Sequence, residues 1–219
     1  MAVVPQPSPA PASFSELVPR DGVLAPDELQ RLAQDIVARP ELWEPLVRLD
    51  PDQRRYELIY EDESVDAWVL SWMPGQGTGF HDHYISSVGF CCAHGGVRED
   101  LMVYGRAHEP LHLRAGDARS GGPGYIHRVR HDVGEPAVTI HVYSPRLDWV
   151  GQYRLADDRV VRREVRPGRN ELQNRSRTRC KAPSAMSWSV SSLRPGRTSR
   201  RTTRSSASRY WPTQSSRGE

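Results

Sequence analysis

Two patterns of apolar and polar positions divide the chain. Near its start, apolar residues recur at the three-to-four-residue spacing of an amphipathic helix: Leu29, Leu32, Ile36 and Val37. Pro26 suits the first helical position, and two acidic residues follow it. The pattern predicts a helix that begins at Pro26 and ends near Pro40, followed by a short turn around Trp43 and Leu46.

After Asp50 the pattern changes to short runs of aromatic and β-branched residues, which Gly, Pro and Asp interrupt. Such runs are typical of strands, and the interruptions are typical of turns. The predicted strands are Arg55–Tyr60, Asp66–Trp72, Val88–Ala93, Val97–Tyr104, Leu111–Arg114 and Ala137–Tyr143. Because strands do not alternate with long helices, we expect a mainly β protein with a small antiparallel barrel or jelly roll.

The order of these patterns predicts four segments. Residues 1–13 are rich in Ala and Pro and are expected to be a disordered leader. Residues 14–50 form a helical segment that packs on the barrel, and residues 51–165 form the barrel itself. Residues 166–219, rich in Ser and Arg, are expected to be a disordered basic tail. An aberrant, frameshifted C-terminus is an alternative reading of that last segment.

Charge is distributed unevenly along the chain. Residues 172–219 carry eleven Lys or Arg and one acidic residue, a net charge of +10, so the overall +3 leaves −7 for the other 171 residues. A basic segment attracts polyanions without folding. The positive net charge therefore describes the tail, and we expect no specific nucleic-acid binding by the folded part.

Cysteine usage and hydropathy bear on the compartment. The three cysteines are Cys91, Cys92 and Cys180, an odd number with an adjacent pair, which suits neither a disulfide framework nor a CxxC metal site. No apolar run reaches the length of a signal peptide or a membrane span. These features predict a cytoplasmic protein with no membrane partner.

The strongest chemical signal is a pair of histidines, His81 and His83, one residue apart. Residues two apart in a strand point to the same face, so both imidazoles can reach one ion. A third histidine, His127, follows a Gly-rich turn in the sequence Pro-Gly-Tyr-Ile-His, where a strand is expected to return to the barrel. The three residues are the predicted metal ligands.

At these positions the sequence resembles the two motifs of the cupin superfamily. The first runs from Gly75 through the two histidines to Gly95, and the second ends at His127. One position departs from the pattern, because the glutamate ligand of most cupins is Val88 here. A cupin-type jelly-roll barrel with a neutral three-histidine site is therefore implied by the resemblance.

Loss of that carboxylate is typical of the thiol dioxygenases among the cupins, and the chain resembles the cysteine dioxygenase family over roughly residues 25–150. The matching blocks include Trp72-x-Pro-Gly-Gln-Gly-Thr-Gly-x-His-Asp-His and Pro136-Ala-Val-Thr-Ile-His-Val-Tyr-Ser-Pro145. The resemblance implies a ferrous iron cofactor, Fe(2+), and oxidation of L-cysteine with O2 to cysteine sulfinate. Mammalian relatives carry a cysteine cross-linked to the active-site tyrosine where this chain has Val88, so that cross-link cannot form.

A row of polar residues on one predicted strand is the second part of this site. Thr139, His141 and Tyr143 alternate along the strand and therefore share a face. In cysteine dioxygenases the matching hydroxyl, histidine and tyrosine form a hydrogen-bonded row that ends near the iron. The resemblance implies a catalytic role for the three, with packing alone as the alternative.

The substrate anchor is less clearly marked. The family places a carboxylate-binding arginine on the strand before the metal motif, or a glutamine in the mercaptopropionate-type relatives. An ungapped alignment puts that position on Tyr56, and a bulge of one residue would bring Arg55 to the site. A solvated surface role stays open for both Arg54 and Arg55.

Three functions remain possible from the sequence. The first is an L-cysteine dioxygenase, and the second is a dioxygenase for another small thiol such as 3-mercaptopropionate. The third is a non-catalytic cupin that binds metal or ligand as a sensor. In the first two cases the partners are a small thiol and O2, and we expect a monomer.

Overall fold

The computed structural model describes residues 14–19, 22–103, 106–107, 110–156 and 159–167. The expected leader and residues 168–219 of the expected tail lie outside these ranges. The described helical elements are one α-helix, α1 (Pro26–Val37), and three short 3-10 helices, Phe14–Glu16, Pro40–Leu42 and Glu44–Leu46. The helix predicted from Pro26 therefore begins where expected.

Twelve described strands make up the rest of the fold. They are β1 (Arg55–Glu61), β2 (Asp66–Trp72), β3 (Phe80–Asp82), β4 (Ser87–His94), β5 (Gly96–Val103), β6 (Arg106–Ala107), β7 (Leu111–Arg114), β8 (Ala118–Gly121), β9 (His127–His131), β10 (Ala137–Ser144), β11 (Trp149–Ala156) and β12 (Arg159–Pro167). All six runs predicted from the pattern are strands. Several of those missed are short, like β3, or polar, like β8 and β12, so no apolar run marks them.

The described strands form two antiparallel sheets. The five-stranded sheet has the order β1-β2-β10-β4-β8, and the seven-stranded sheet has the order β12-β11-β3-β9-β5-β6 with β7 beside β5. Strands distant in sequence are neighbours, as β2 and β10 are. The expectation of a mainly β, two-sheet jelly roll is confirmed, and this topology brings strands β3, β9 and β10 to one site.

Helix α1 covers the outer face of the five-stranded sheet. Its start is fixed by a capping contact, in which the Glu28 carboxylate accepts a hydrogen bond of 2.8 Å from the Ala25 backbone N–H. Leu29 and Ile36 are fully buried beneath it. The helix lies so close to β4 that a Cβ atom at Gly89 would overlap the backbone of Leu29 and Gln30.

The five-stranded sheet separates two hydrophobic cores. The core on its helix side includes Leu29, Ile36, Val69, Ile140 and Val142. The core inside the barrel includes Leu70, Trp72, Phe90, Val129 and Tyr143. Strands β2 and β10 are consequently buried along their whole length, on both faces. Within the described residues, no helix is long and apolar enough to cross a membrane.

Candidate metal centre

Three buried histidines converge on the inner face of the seven-stranded sheet. His81 lies in β3, His83 follows one residue after that strand, and His127 begins β9. His81 and His127 are direct partners across the β3–β9 pair. Their exposed fractions are only 6%, 1% and 1%. The side chains predicted from the sequence as a cluster are therefore brought together.

The geometry of the cluster fits a single metal ion. One ring nitrogen from each histidine lies within 4.8 Å of one from each of the others. Both nitrogens of His83, and Nε2 of His127, are buried and make no hydrogen bond within the described structure. Buried nitrogen atoms without partners are costly, and ligation by a metal would satisfy them. His81 Nδ1 lies 3.0 Å from the Gly79 carbonyl oxygen, which leaves Nε2 as its ligand atom.

Burial keeps the His81 and His83 imidazoles neutral. It lowers the pKa of both side chains well below the usual value, and repulsion between protons within the histidine cluster acts in the same direction. The guanidinium of Arg54 lowers the pKa of His81 further. Because a metal binds the unprotonated imidazole, protons compete little for these ligands at neutral pH.

Asp82, between the two ligands of β3, points away from the cluster and holds the strand in place. Its carboxylate accepts hydrogen bonds from the Gly151 backbone N–H at 3.0 Å, the Tyr84 backbone N–H at 3.1 Å, and the Tyr153 hydroxyl. These contacts join β3 to β11, which lies beside it in the sheet. The charged residue of the motif thus supports the backbone that carries the histidines.

A row of hydrogen bonds runs along β10 towards the histidines. Trp72 Nε1–H donates to the Thr139 hydroxyl oxygen at 2.9 Å, and that hydroxyl lies 3.0 Å from His141 Nε2. Either the Thr139 hydroxyl or His141 Nε2 can be the donor of this hydrogen bond, because a hydroxyl oxygen can accept from two donors. His141 Nδ1 lies 3.4 Å from the Tyr143 hydroxyl. The Tyr143 ring lies 5.1 Å from the His83 ring.

Burial also keeps His141 uncharged. It lowers the pKa of His141 well below its usual value, and repulsion from protons on the nearby histidines and from the Arg54 guanidinium acts in the same direction. Val88, the position that departs from the cupin pattern, lies directly opposite Tyr143 in the β4–β10 pair. The residue across from this tyrosine is therefore aliphatic and fully buried.

Of the arginines near β1, only Arg54 reaches the histidines. Arg54 is 3% exposed, and its guanidinium carbon lies 5.0 Å from the Trp72 ring centroid. Arg55, predicted as a substrate anchor, instead pairs with Asp50 at 2.6 Å on the outside. Tyr56 packs against Trp68, with ring centroids 5.7 Å apart. The structure therefore places Arg54 in the lining of the cavity beside His81 and His83, and neither Arg55 nor Tyr56 is among the described lining residues.

Several of the residues described above line one cavity inside the barrel. Its lining residues are Arg54, Leu70, Trp72, Thr78, His81, His83, Val129, His141, Tyr143, Leu147 and Val150. The cavity is small, and the empty space of about 330 Å³ includes the open solvent at its mouth. Nonpolar walls surround one arginine, one tyrosine and the histidines, so the cavity suits a small, anionic ligand.

Sequence reasoning missed one further residue beside the histidines. Glu99 in β5 is fully buried, and its Oε1 lies 2.7 Å from His127 Nδ1 and 2.9 Å from the Tyr125 hydroxyl. A lone acidic residue in a strand is typical of a solvated face, so its sequence position does not indicate a buried role. The alternation of Val97 and Glu99, both fully buried, is the signal that this face of β5 points inward.

Comparison with curated proteins identifies cysteine dioxygenases as relatives. In alignments with cysteine dioxygenase type 1 from Bos taurus and from Homo sapiens, the chain is 27% identical over 134 residues. The aligned part covers 56% of this chain and 66% of each relative, slightly less than two thirds of their length.

Similarity to solved structures is weak. A Thermus thermophilus protein shares 24% identity at a TM-score of 0.42, covering 47% of this chain and 93% of its own. A cupin superfamily protein from Desulfitobacterium hafniense shares 12% identity at a TM-score of 0.41, covering 48% and 90%.

A family model provides the broadest match. The model described as Cysteine dioxygenase type I matches residues 5–156, well over half of the chain. That range contains the three histidines, the polar row on β10 and Arg54. The chain belongs to the cysteine dioxygenase type I family.

Proposed function

We propose that this protein is a non-haem iron thiol dioxygenase that converts L-cysteine and O2 to cysteine sulfinate. The observation that carries the proposal is the cluster of His81, His83 and His127, two of which, His81 and His83, line one cavity with Arg54 and Tyr143. In the overall reaction both atoms of O2 are transferred to the substrate sulfur, which is oxidised from thiol to sulfinate. The catalytic trio is Thr139, His141 and Tyr143.

The donor set supports iron as the metal. Three neutral imidazoles provide no negative charge, and Fe(II) bound to them would supply open coordination positions and the redox chemistry that O2 activation requires. Zinc accepts the same nitrogen ligands but has no redox chemistry. A neutral ligand set also favours a thiolate over a neutral donor at the remaining positions.

Arg54 would bind the substrate carboxylate. Its guanidinium is almost completely buried and lines the cavity with the histidines. A buried arginine can form two parallel hydrogen bonds to a carboxylate, which orients a short thiol with its sulfur towards the histidines. This role favours cysteine and 3-mercaptopropionate over cysteamine, which has no carboxylate.

The hydrogen-bonded residues Thr139, His141 and Tyr143 of β10 would orient the substrate in the cavity. Thr139 and His141 together fix the Tyr143 hydroxyl, which can donate a hydrogen bond to a ligand held between it and Arg54. The apolar walls formed by Leu147 and Val150 exclude water from that position. Each of these contributions comes from residues that the fold holds rigidly in place.

A second substrate is favoured by one observation about charge. Among the described lining residues of the cavity, none is a carboxylate that could pair with the ammonium group of cysteine. A des-amino thiol such as 3-mercaptopropionate would therefore lose no protein contact. It is the second candidate.

Oxygen consumption tests both candidates. We would load the purified full chain with Fe(II) and measure O2 uptake with L-cysteine, 3-mercaptopropionate and cysteamine, with His83→Ala as the control. Uptake with cysteine that the control abolishes is the expected result. Uptake with the des-amino thiol alone would assign the second substrate, and no uptake with any thiol would reject the dioxygenase.

Three further expectations from the sequence stay predictions. They are a cytoplasmic location, a monomeric state and the lack of a specific nucleic-acid partner. Cys91 and Cys92 are free and buried, as a reducing compartment would allow.

A further inference from the structure

We propose that Glu99 is a positioning residue that fixes the orientation of His127 and lends its negative charge to the metal centre. In most cupins a glutamate ligand stands where this chain has Val88. Glu99 would supply the negative charge of that missing ligand from behind His127, without binding the metal itself. The inference rests on the metal centre proposed above and does not depend on the identity of the thiol.

The contact between Glu99 and His127 sets which nitrogen of the imidazole faces the cluster. Glu99 Oε1 lies 2.7 Å from His127 Nδ1, and both side chains are almost completely buried. A carboxylate accepts hydrogen bonds, so Nδ1 carries the proton and Nε2 keeps its lone pair. Nε2 is the nitrogen of His127 that makes no hydrogen bond in the described structure. The pair therefore presents a ligand atom to the cluster.

Tyr125 holds the same carboxylate from the other side. Its hydroxyl donates to Glu99 Oε1 at 2.9 Å. The Tyr125 ring lies against β8 at Gly121, where a Cβ atom would overlap the ring. This close approach fixes the tyrosine, and with it the rotamer of Glu99.

The charge of Glu99 is left largely uncompensated by the protein. Oε1 receives both donors, while Oε2 makes no hydrogen bond, and no described Lys or Arg pairs with the carboxylate. A buried carboxylate without a cationic partner is expensive, and apolar residues usually replace one unless a cation lies near. A metal ion bound at His127 Nε2, which makes no hydrogen bond in the described structure, would supply such a cation. Carboxylate–histidine–metal arrangements raise the basicity of the imidazole and strengthen metal binding.

Metal affinity tests this role without relying on catalysis. We would titrate the full chain anaerobically with Fe(II) against a competing chelator, comparing wild type, Glu99→Gln and Tyr125→Phe. Glu99→Gln keeps the shape and removes the charge, so we expect its Kd for Fe(II) to rise about 10- to 100-fold. Tyr125→Phe keeps the carboxylate and the ring that packs at Gly121 and removes only the hydroxyl donor, so we expect a smaller rise in Kd than for Glu99→Gln.

The outcomes separate this inference from the proposed function. A folded Glu99→Gln variant with the wild-type Kd would overturn the role of Glu99 and leave the metal centre standing. Wild type that binds no Fe(II) would overturn both. If wild type binds Fe(II) and Glu99→Gln binds it more weakly as expected, but no thiol causes O2 uptake, only the dioxygenase function would be rejected.

A second measurement needs no variant and covers the case in which Glu99→Gln fails to fold. In 15N-labelled wild type loaded with diamagnetic Zn(II), NMR of the histidine rings reports which nitrogen carries the proton. We expect His127 to be protonated at Nδ1 and ligated through Nε2. Ligation through Nδ1, or a proton on Nε2, would overturn the inference.

Discussion

Arg54 and Arg55 are adjacent residues with opposite surroundings. Arg54 is buried beside Trp72 and lines the cavity, whereas Arg55 pairs with Asp50 outside. Removing a charged hydrogen bond to a substrate carboxylate costs about 1.5–3 kcal/mol, so Arg54→Gln should raise KM for L-cysteine about 10- to 100-fold. Steady-state O2 uptake checks this, with Arg55→Gln as the matched control at wild-type KM. An equal effect of the two substitutions would contradict the assignment of Arg54.

Single residues also show what the sequence could and could not predict. The convergence of His81 and His83 followed from the two-residue period of a strand, and the family motif added His127. The choice between Arg54 and Arg55 could not be made, since β1 has no regular alternation of buried and exposed positions. Glu99 could not be recognised as an inward-facing residue, because only the closed barrel makes its face of β5 an interior one.

Helix α1 and strand β4 pack with their backbones almost in contact at Gly89. Because a Cβ atom there would overlap the helix backbone, which cannot rotate away, Gly89→Ala must push α1 off the sheet. Overpacking of this kind typically costs about 1–3 kcal/mol, and we expect at least that loss in the free energy of unfolding. Urea denaturation measures it, with Gly79→Ala as the control, since a Cβ atom at Gly79 meets nothing within 4 Å. Equal stability of both variants would show that the helix tolerates displacement.

Helices and strands could be predicted from the sequence where their burial requires a regular pattern of apolar residues. The runs that became β2, β4 and β10 are apolar because both their faces are covered, and α1 shows the helical period of a one-sided contact. Strand β3 has three residues, too few for a period, and β12 is rich in arginine. Their pairing depends on neighbours distant in sequence, which no local pattern specifies.

For the whole molecule, the free energy of unfolding should depend on pH through the titration of the Asp66 carboxyl. Burial raises the pKa of this carboxyl to about 6, although Trp68 Nε1–H and the Leu147 backbone N–H donate to it. The folded chain therefore keeps a proton that the unfolded chain has released, and stability falls as pH rises from about 4 to about 6. Relative to Asp66→Asn, wild type should lose about 2–3 kcal/mol in free energy of unfolding between about pH 4 and pH 7.

Urea denaturation of wild type and Asp66→Asn across that pH range makes the comparison. The same substitution at Asp148, an exposed residue, is the matched control. Parallel pH curves for wild type and Asp66→Asn would refute the prediction.

One face of strand β10 carries residues of the proposed active site, and the other face packs in the hydrophobic core beneath α1. Thr139, His141 and Tyr143 line the barrel interior, while Ile140 and Val142 lie beneath α1. Loss or gain of a single residue at the start of this strand would exchange the two sets, placing the polar row under the helix and the aliphatic residues against the histidines. Both faces would lose their contacts together. Over evolutionary time this strand can therefore accept substitutions but hardly an insertion or a deletion.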